Sequence, residues 1–153
     1  MAQDDPAEQL ARVSVCLLDA GPLVAALDRA DPGHARVSRA FASFRGILLT
    51  SGAVVTEAMH FLKDERDGPS RLVDFLELTN TRIGDSFTRE RLGKSAALMR
   101  KYADLPMDFA DATLVLMAEE AEVGEIFTLD QRGFRTYRYG RNKRFKLVLD
   151  GFR

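Results

Sequence analysis

The chain has 153 residues, enough for one domain with a substantial core, and its 46% hydrophobic and 29% charged residues are an ordinary globular balance. A formal net charge of -1 excludes a polycation that binds nucleic acid indiscriminately, and a lone Cys16 excludes an internal disulfide and a multi-cysteine zinc site. No apolar run approaches bilayer-spanning length and the acidic start from Met1 to Glu8 resembles no targeting peptide, so a cytoplasmic protein without membrane contact is expected.

Residues 1–12 read as a loose leader and residues 13–153 as a single domain. Val13 to Leu18 is a short continuous apolar run, the mark of a buried parallel strand, and it contains Cys16 as a structural thiol. Gly21-Pro22 then opens a helix through Leu27, since proline suits a first helical turn. Asp31-Pro32-Gly33 breaks the chain, and His34 to Phe44 forms a helix with Val37, Ala40, Phe41 and Phe44 inward. Ile47 to Thr50 is a strand, and Ser51 caps a helix from Gly52 to Lys63. After the Asp67-Gly68-Pro69 turn comes a helix around Leu72 to Leu76, then a weak strand at Thr81 to Ile83. Thr88 to Tyr102 is a long helix with Leu92, Ala96 and Met99 on one face, and Asp108 to Glu122 is an apolar one stopped by Gly124. Ile126 to Leu129 is a strand ending at Asp130, and Arg144 to Leu149 is an edge strand guarded by basic residues. Strands alternating with helices imply a three-layer α/β/α domain with a mostly parallel central sheet.

The charged residues carry the chemistry. Asp111 sits in the almost wholly apolar Phe109 to Ala118, where a carboxylate is costly unless a hydrogen bond, an ion pair or a metal compensates it. Open parallel sheets bind ligands beyond the carboxyl ends of their strands, and Asp19 and Asp130 each fall directly after a strand. Glu57 lies in the helix after the Ile47 strand, and Asp108 shares a helix face with Asp111. Four separated segments thus bring carboxylates toward one rim. Hard oxygen donors of this kind suit Mg²⁺ or Mn²⁺. Each has a plainer role open to it: Asp19 and Asp108 as helix caps, Glu57 as a solvent-facing residue, Asp130 as a turn residue, Thr128 as strand packing. From Gln131 to Arg153 there are eight basic residues against a lone Asp150, either a solvated surface or a strip for phosphates.

These segments, in this order, resemble a PIN domain, the nuclease fold of VapC-type toxins. Leu18-Asp19-Ala20-Gly21-Pro22-Leu23-Val24-Ala25 is similar to the family's opening strand and first acid, and Val54-Val55-Thr56-Glu57-Ala58 to its second. Phe109-Ala110-Asp111-Ala112-Thr113-Leu114-Val115 is similar to the third, with Asp108 a common companion, and Thr128-Leu129-Asp130 followed by Phe134 to the closing motif. Two positions depart from the pattern. Gly21 stands where many members carry Ser or Thr, and Gly133 where an acid often precedes the closing Phe. The resemblance implies metal-dependent hydrolysis of RNA without a side-chain nucleophile. Asp19, Glu57, Asp111 and Asp130 would hold one or two Mg²⁺ or Mn²⁺ ions with Asp108 beside them, and Thr128, Arg132 and Arg135 would contact substrate. It also implies a homodimer and a separately encoded antitoxin.

Other classes fit less well. A phosphoacceptor receiver wants an acidic pair after the first strand, where only Asp19 stands, and a haloacid-dehalogenase-like phosphatase wants a second Asp at the place of Gly21. Glu57-x-x-His60 has di-iron ligand spacing, but the only other histidine, His34, lies after a turn and forms no second pair. No Gly-x-Ser-x-Gly elbow supports serine chemistry. The remaining alternative is an inactive PIN-like fold that binds RNA or protein.

Overall fold

The structure is a computed structural model describing residues 13–153; the expected leader lies outside the described residues. In chain order the elements are β1 (Val15–Leu18), α1 (Ala20–Leu27), α2 (His34–Ser43), β2 (Ile47–Ser51), α3 (Gly52–Leu62), α4 (Gly68–Leu78) and β3 (Arg82–Gly84). Then come α5 (Arg89–Lys101), α6 (Phe109–Ala121), β4 (Glu125–Phe127), α7 (Gln131–Thr136), β5 (Arg138–Tyr139), β6 (Lys143–Arg144), β7 (Lys146–Leu147) and a 3-10 turn at Val148–Gly151.

Five strands form a central sheet in the order β3-β2-β1-β4-β7, every neighbouring pair parallel, and helices flank it. The expected α/β architecture is therefore present. Val15 pairs with Ile47 and Leu17 with Ile126, so the apolar run around Cys16 lies at the centre of the sheet. Cys16, Leu17 and Leu18 are fully buried, as a central strand covered on both faces requires. Burial pushes the Cys16 thiol up to about 12, which removes it from thiolate chemistry. The switch in strand order beside β1, where connections leave toward β2 on one side and β4 on the other, opens a crevice at the strands' carboxyl ends.

Helix α6 is buried without interruption from Ala110 to Ala118, and it packs against α5, α3 and β2. Among the described residues no helix is long and apolar enough to cross a membrane.

Three local expectations are corrected. The inward face of α5 is Ser95, Leu98, Met99 and Tyr102, whereas Leu92 and Ala96 are exposed. The small Ser95 lets the helix approach α6, which a count of apolar residues alone does not show. The expected strand at Arg144 to Leu149 is divided: β6 pairs antiparallel with β5, and β7 joins the main sheet beside β4. Phe145 causes the break, because its buried ring packs 5.3 Å from Phe134 and 4.9 Å from Tyr139. Finally β4 stops at Phe127, and Asp130 starts the short α7, an element the sequence did not announce.

Candidate active site

Beyond the ends of β1 and β4 lies a cleft of about 370 Å³. Asp19, Glu57, Asp108, Asp111 and Asp130 all line it, so the structure brings together the five acids singled out by sequence. Asp31 is a sixth. Its place in an Asp-Pro-Gly break gave no sign of this, yet its Oδ1 accepts the Gly33 N–H at 2.7 Å and the residue faces the cleft.

Local structure explains how each carboxylate is held. The Asp19 N–H donates to the Phe127 carbonyl at 3.0 Å, carrying the β1–β4 pairing one step past the strand. Its side chain then caps α1, Oδ1 accepting from the Ala20 N–H at 2.8 Å, while Oδ2 accepts the Thr128 hydroxyl at 2.7 Å. The same Thr128 oxygen accepts the Asp130 N–H at 3.0 Å, and Asp130 Oδ1 caps α7 through the Gly133 N–H at 3.0 Å. Asp108 and Asp111 form a reciprocal box at the start of α6: Asp108 Oδ1 accepts the Asp111 N–H at 2.8 Å, and Asp111 Oδ2 accepts the Asp108 N–H at 3.2 Å. The plainer cap roles of Asp19 and Asp108 are thus real, and they coexist with a place in the cleft. Tyr137, buried against Tyr102 and Phe134, donates its hydroxyl to Asp111 Oδ2 at 3.5 Å, a contact no sequence spacing indicated.

Backbone N–H groups and hydroxyls hold the aspartates of the cleft. Among the described residues no ion pair involves an acid of the cleft. Their titration reflects that. Asp19 rises from the usual 3.8 to about 6, first because burial strips its water, and further because Asp108 and Asp130 are near; Thr128 and the Ala20 N–H pull the other way. Glu57 rises from 4.5 to about 7 through burial and the fields of Asp108 and Asp19. Asp111 is pushed up most strongly, by burial and then by Asp108 and Asp19. Tyr137 is likewise raised, by burial and the Asp111 charge.

Such a cluster lacks positive charge, and a divalent cation is the counter-charge its hard oxygen donors suit. Among the described residues no three acidic, histidine or cysteine side chains stand so as to ligate an ion directly. Mg²⁺ commonly takes one or two carboxylates and keeps several of its own waters, so the donor set fits this ion.

The other expected contacts fall elsewhere. Thr128 is only 1% exposed, and its hydroxyl is committed to Asp19 and Asp130, which makes it a positioning residue. Arg132 is exposed on α7. Arg135 lies off the cleft, in a separate hollow of about 610 Å³ that includes Glu125 and Lys146 at the strands' starting ends. There it pairs with Asp150 at 3.0 Å while Lys146 pairs with Glu125 at 3.0 Å, so both acids of the larger hollow are matched by cations, with Arg144 as a third cation in its lining. His34 Nδ1 hydrogen-bonds the Ala25 carbonyl at 2.7 Å.

Comparison with known proteins agrees with this geometry. Ribonuclease VapC26 of Mycobacterium tuberculosis is 28% identical over 137 residues, covering 86% of this chain and 98% of that protein. The crystal structure of Mycobacterium tuberculosis VapC20, described as a sarcin-ricin loop cleaving toxin, superposes with a TM-score of 0.70 at 17% identity, covering 78% of this chain and 92% of that one, a likeness of fold. The PIN domain model matches residues 16–139, which run from β1 through β5 and include every acid of the cleft. The chain belongs to the PIN domain family.

Proposed function

We propose that this protein is a Mg²⁺- or Mn²⁺-dependent endoribonuclease and the toxin of a toxin–antitoxin pair, acting as a cytoplasmic homodimer that a separately encoded antitoxin restrains. The observation that supports it is one cleft lined by Asp19, Glu57, Asp108, Asp111 and Asp130 from separated segments, with no cationic side chain among its lining residues. The relative named as a ribonuclease, matched over nearly its whole length, supports the same reading.

Asp19, Glu57, Asp111 and Asp130 would hold the ion, with Asp108 orienting Asp111 through their shared hydrogen bonds. When bound, a divalent cation lowers the pKa of water and offsets charge building on a phosphodiester. The chain's own part is preparation. Thr128 and the Ala20 N–H fix both oxygens of Asp19, and the α7 start fixes one oxygen of Asp130. Cys16 is buried in the sheet, so attack by its thiol has no route, and the reaction relies on water as nucleophile.

The test is cleavage of a total-RNA pool in Mg²⁺ or Mn²⁺ by the parent and by Asp111→Ala. Loss of several kcal/mol of charge stabilisation lowers the rate by on the order of a thousandfold. Undiminished cleavage by the variant rejects the assigned site. The absence of a directly ligating trio favours the second reading, an inactive PIN-like binding module. Calorimetry with Mn²⁺ separates the two: the nuclease binds the ion and loses it in Asp19→Asn, whereas the module shows no binding in the parent.

A further inference from the structure

A second groove, of about 470 Å³, runs directly out of the acidic cleft, with Glu57, Phe61 and Asp108 lining both. Its size lies within the range of ligand sites, roughly 300–1,000 Å³. One wall is a single stripe of α3 bearing Thr56, Glu57, His60 and Phe61, residues that share a face by helical spacing. Opposite stand Phe87 and Phe109.

The aromatic rings are exposed yet seated. Phe61 is 60% and Phe87 56% exposed, against the usual preference of such side chains for burial. Phe87 lies over Gly52 at the start of α3, where an added Cβ would come within 3.0 Å of the ring. It also meets Phe109 with 6.2 Å between centroids, and His60 meets Phe61 edge-on at 5.8 Å. The result is a pre-set apolar surface beside the carboxylates, with an angle of 44° between the Phe87 and Phe109 rings and 67° between those of His60 and Phe61.

Charge selects the occupant. Among the described residues no Lys or Arg lines either the groove or the cleft. An RNA strand with its scissile phosphate at the acids would find no cationic partner here for the next phosphate, and Glu57 and Asp108 repel it. The neutral base with its π face is the part left to bind. Building on the ribonuclease reading, we propose that Phe61, Phe87 and Phe109 form a stacking platform for the nucleobase adjoining the scissile phosphate of single-stranded RNA. Stacking tolerates any base but strengthens with ring size, so the platform favours a purine at that position.

The experiment uses the full chain with oligoribonucleotides carrying 2-aminopurine, whose fluorescence is quenched on stacking, together with mapped cleavage of an RNA pool. Phe61→Ala and Phe87→Ala remove mostly exposed rings, thermal melts check that both variants fold, and Phe61→Tyr keeps a ring. The expected result is quenching by the parent on mixing, weakened in both alanine variants. KM rises by roughly tenfold to a hundredfold with kcat nearly unchanged, and purine preference at the cut site fades. Phe61→Tyr retains parental values. Unchanged KM and cut sites in both alanine variants, with the parent active, overturn the platform alone. Loss of a dimer at unchanged KM assigns the groove to a second copy and overturns it too. Quenching that depends on Phe61 without any cleavage by the parent upholds the platform and overturns the ribonuclease reading; neither quenching nor cleavage overturns both.

Discussion

In the cleft, Asp19, Asp108, Asp111 and Asp130 accept hydrogen bonds from backbone N–H groups and from Thr128, and among the described residues none of them forms an ion pair. Along residues 131–153 the basic side chains are placed the other way. Arg135 meets Asp150, Lys146 meets Glu125, and the Arg138 guanidinium is taken up by the carbonyls of Arg135, Thr136 and Tyr137. One region keeps its acids oriented by neutral donors, and the other pairs two of its eight cations with acids and ties Arg138 to carbonyls. Four of the cleft's acids also sit at helix starts, Asp19, Asp108 and Asp130 as caps and Asp111 in the first turn of α6, where the backbone dipole offsets part of a negative charge without supplying a full counter-ion.

Removing the orientation while leaving the charge is the strongest way to break this contrast. Thr128→Val keeps the shape of the buried side chain but deletes the hydroxyl that donates to Asp19 and accepts from Asp130. Loss of such supporting partners costs roughly 10- to 100-fold in metal affinity or activity, read by Mn²⁺ calorimetry and by cleavage rate. Thr128→Ser, which retains the hydroxyl, should recover most of the loss. A valine variant equal to the parent removes Thr128 from the site.

Gly133 offers a second break. A Cβ at this position would lie 2.3 Å from Asp130 Oδ2 and 3.0 Å from the Tyr137 hydroxyl, so Gly133→Ala must turn the Asp130 carboxylate away. The lost cap costs about 1 kcal/mol, and replacing a helical glycine returns a similar amount. The melting temperature should therefore change little while Mn²⁺ affinity falls, by about tenfold if Asp130 acts as a supporting partner. Equal losses of both would mean that Gly133 serves the fold alone.

The same glycine shows what a sequence reveals and what it hides. Continuous apolar runs such as Val15 to Leu18 identified the buried strands, because a parallel sheet covered on both faces leaves no alternation. The acids were legible because Asp111 has no business in an apolar helix without a partner. Gly21 and Gly133 looked alike as departures from the family pattern, and only packing distinguishes them. At Gly21 a Cβ meets Leu129 at an ordinary 3.4 Å, whereas at Gly133 it collides with the Asp130 carboxylate in the cleft. Asp31 and Tyr137 were invisible because their approach to the cleft depends on how turns and aromatic rings pack, not on spacing. The β5–β6 hairpin was hidden by its brevity, although Gly140 and Asn142, both at positive φ, signal its turn. Arg132 and Arg135 were grouped by composition, which does not see that Arg135 already has Asp150.

Titration sharpens the contrast on the acidic side. Asp19 and Glu57 have folded pKa values of about 6 and about 7, above their ordinary 3.8 and 4.5. An acid whose pKa is raised by folding binds its proton better in the folded state. Its stabilising contribution is complete below the unfolded pKa and is lost as pH rises through the folded value. Without divalent ions, the melting temperature should fall between pH values of roughly 4 and 7, and saturating Mn²⁺ should flatten the fall. At neutral pH, Asp111→Asn should stabilise the ion-free protein by on the order of 1–2 kcal/mol, or roughly 2–8 °C for this chain length. A variant less stable than the parent in a chelator would show that the Asp111 charge is already compensated.

The smallest effect belongs to the basic region. Arg135 reaches both oxygens of Asp150 at 3.1 and 3.0 Å, but the side chains are 56% and 45% exposed. Solvent screens such a pair, so Arg135→Gln should cost only about 0.2–1 kcal/mol, and less in high salt. Its position at the starting ends of β4 and β7, in a hollow that shares no residue with the cleft, predicts unchanged kcat and KM on the RNA pool. A rise in KM that grows at low salt would instead show that a long RNA reaches from the acids to this hollow. In that case the ion pair with Asp150 opens to accept a phosphate, and the basic region belongs to the substrate path after all.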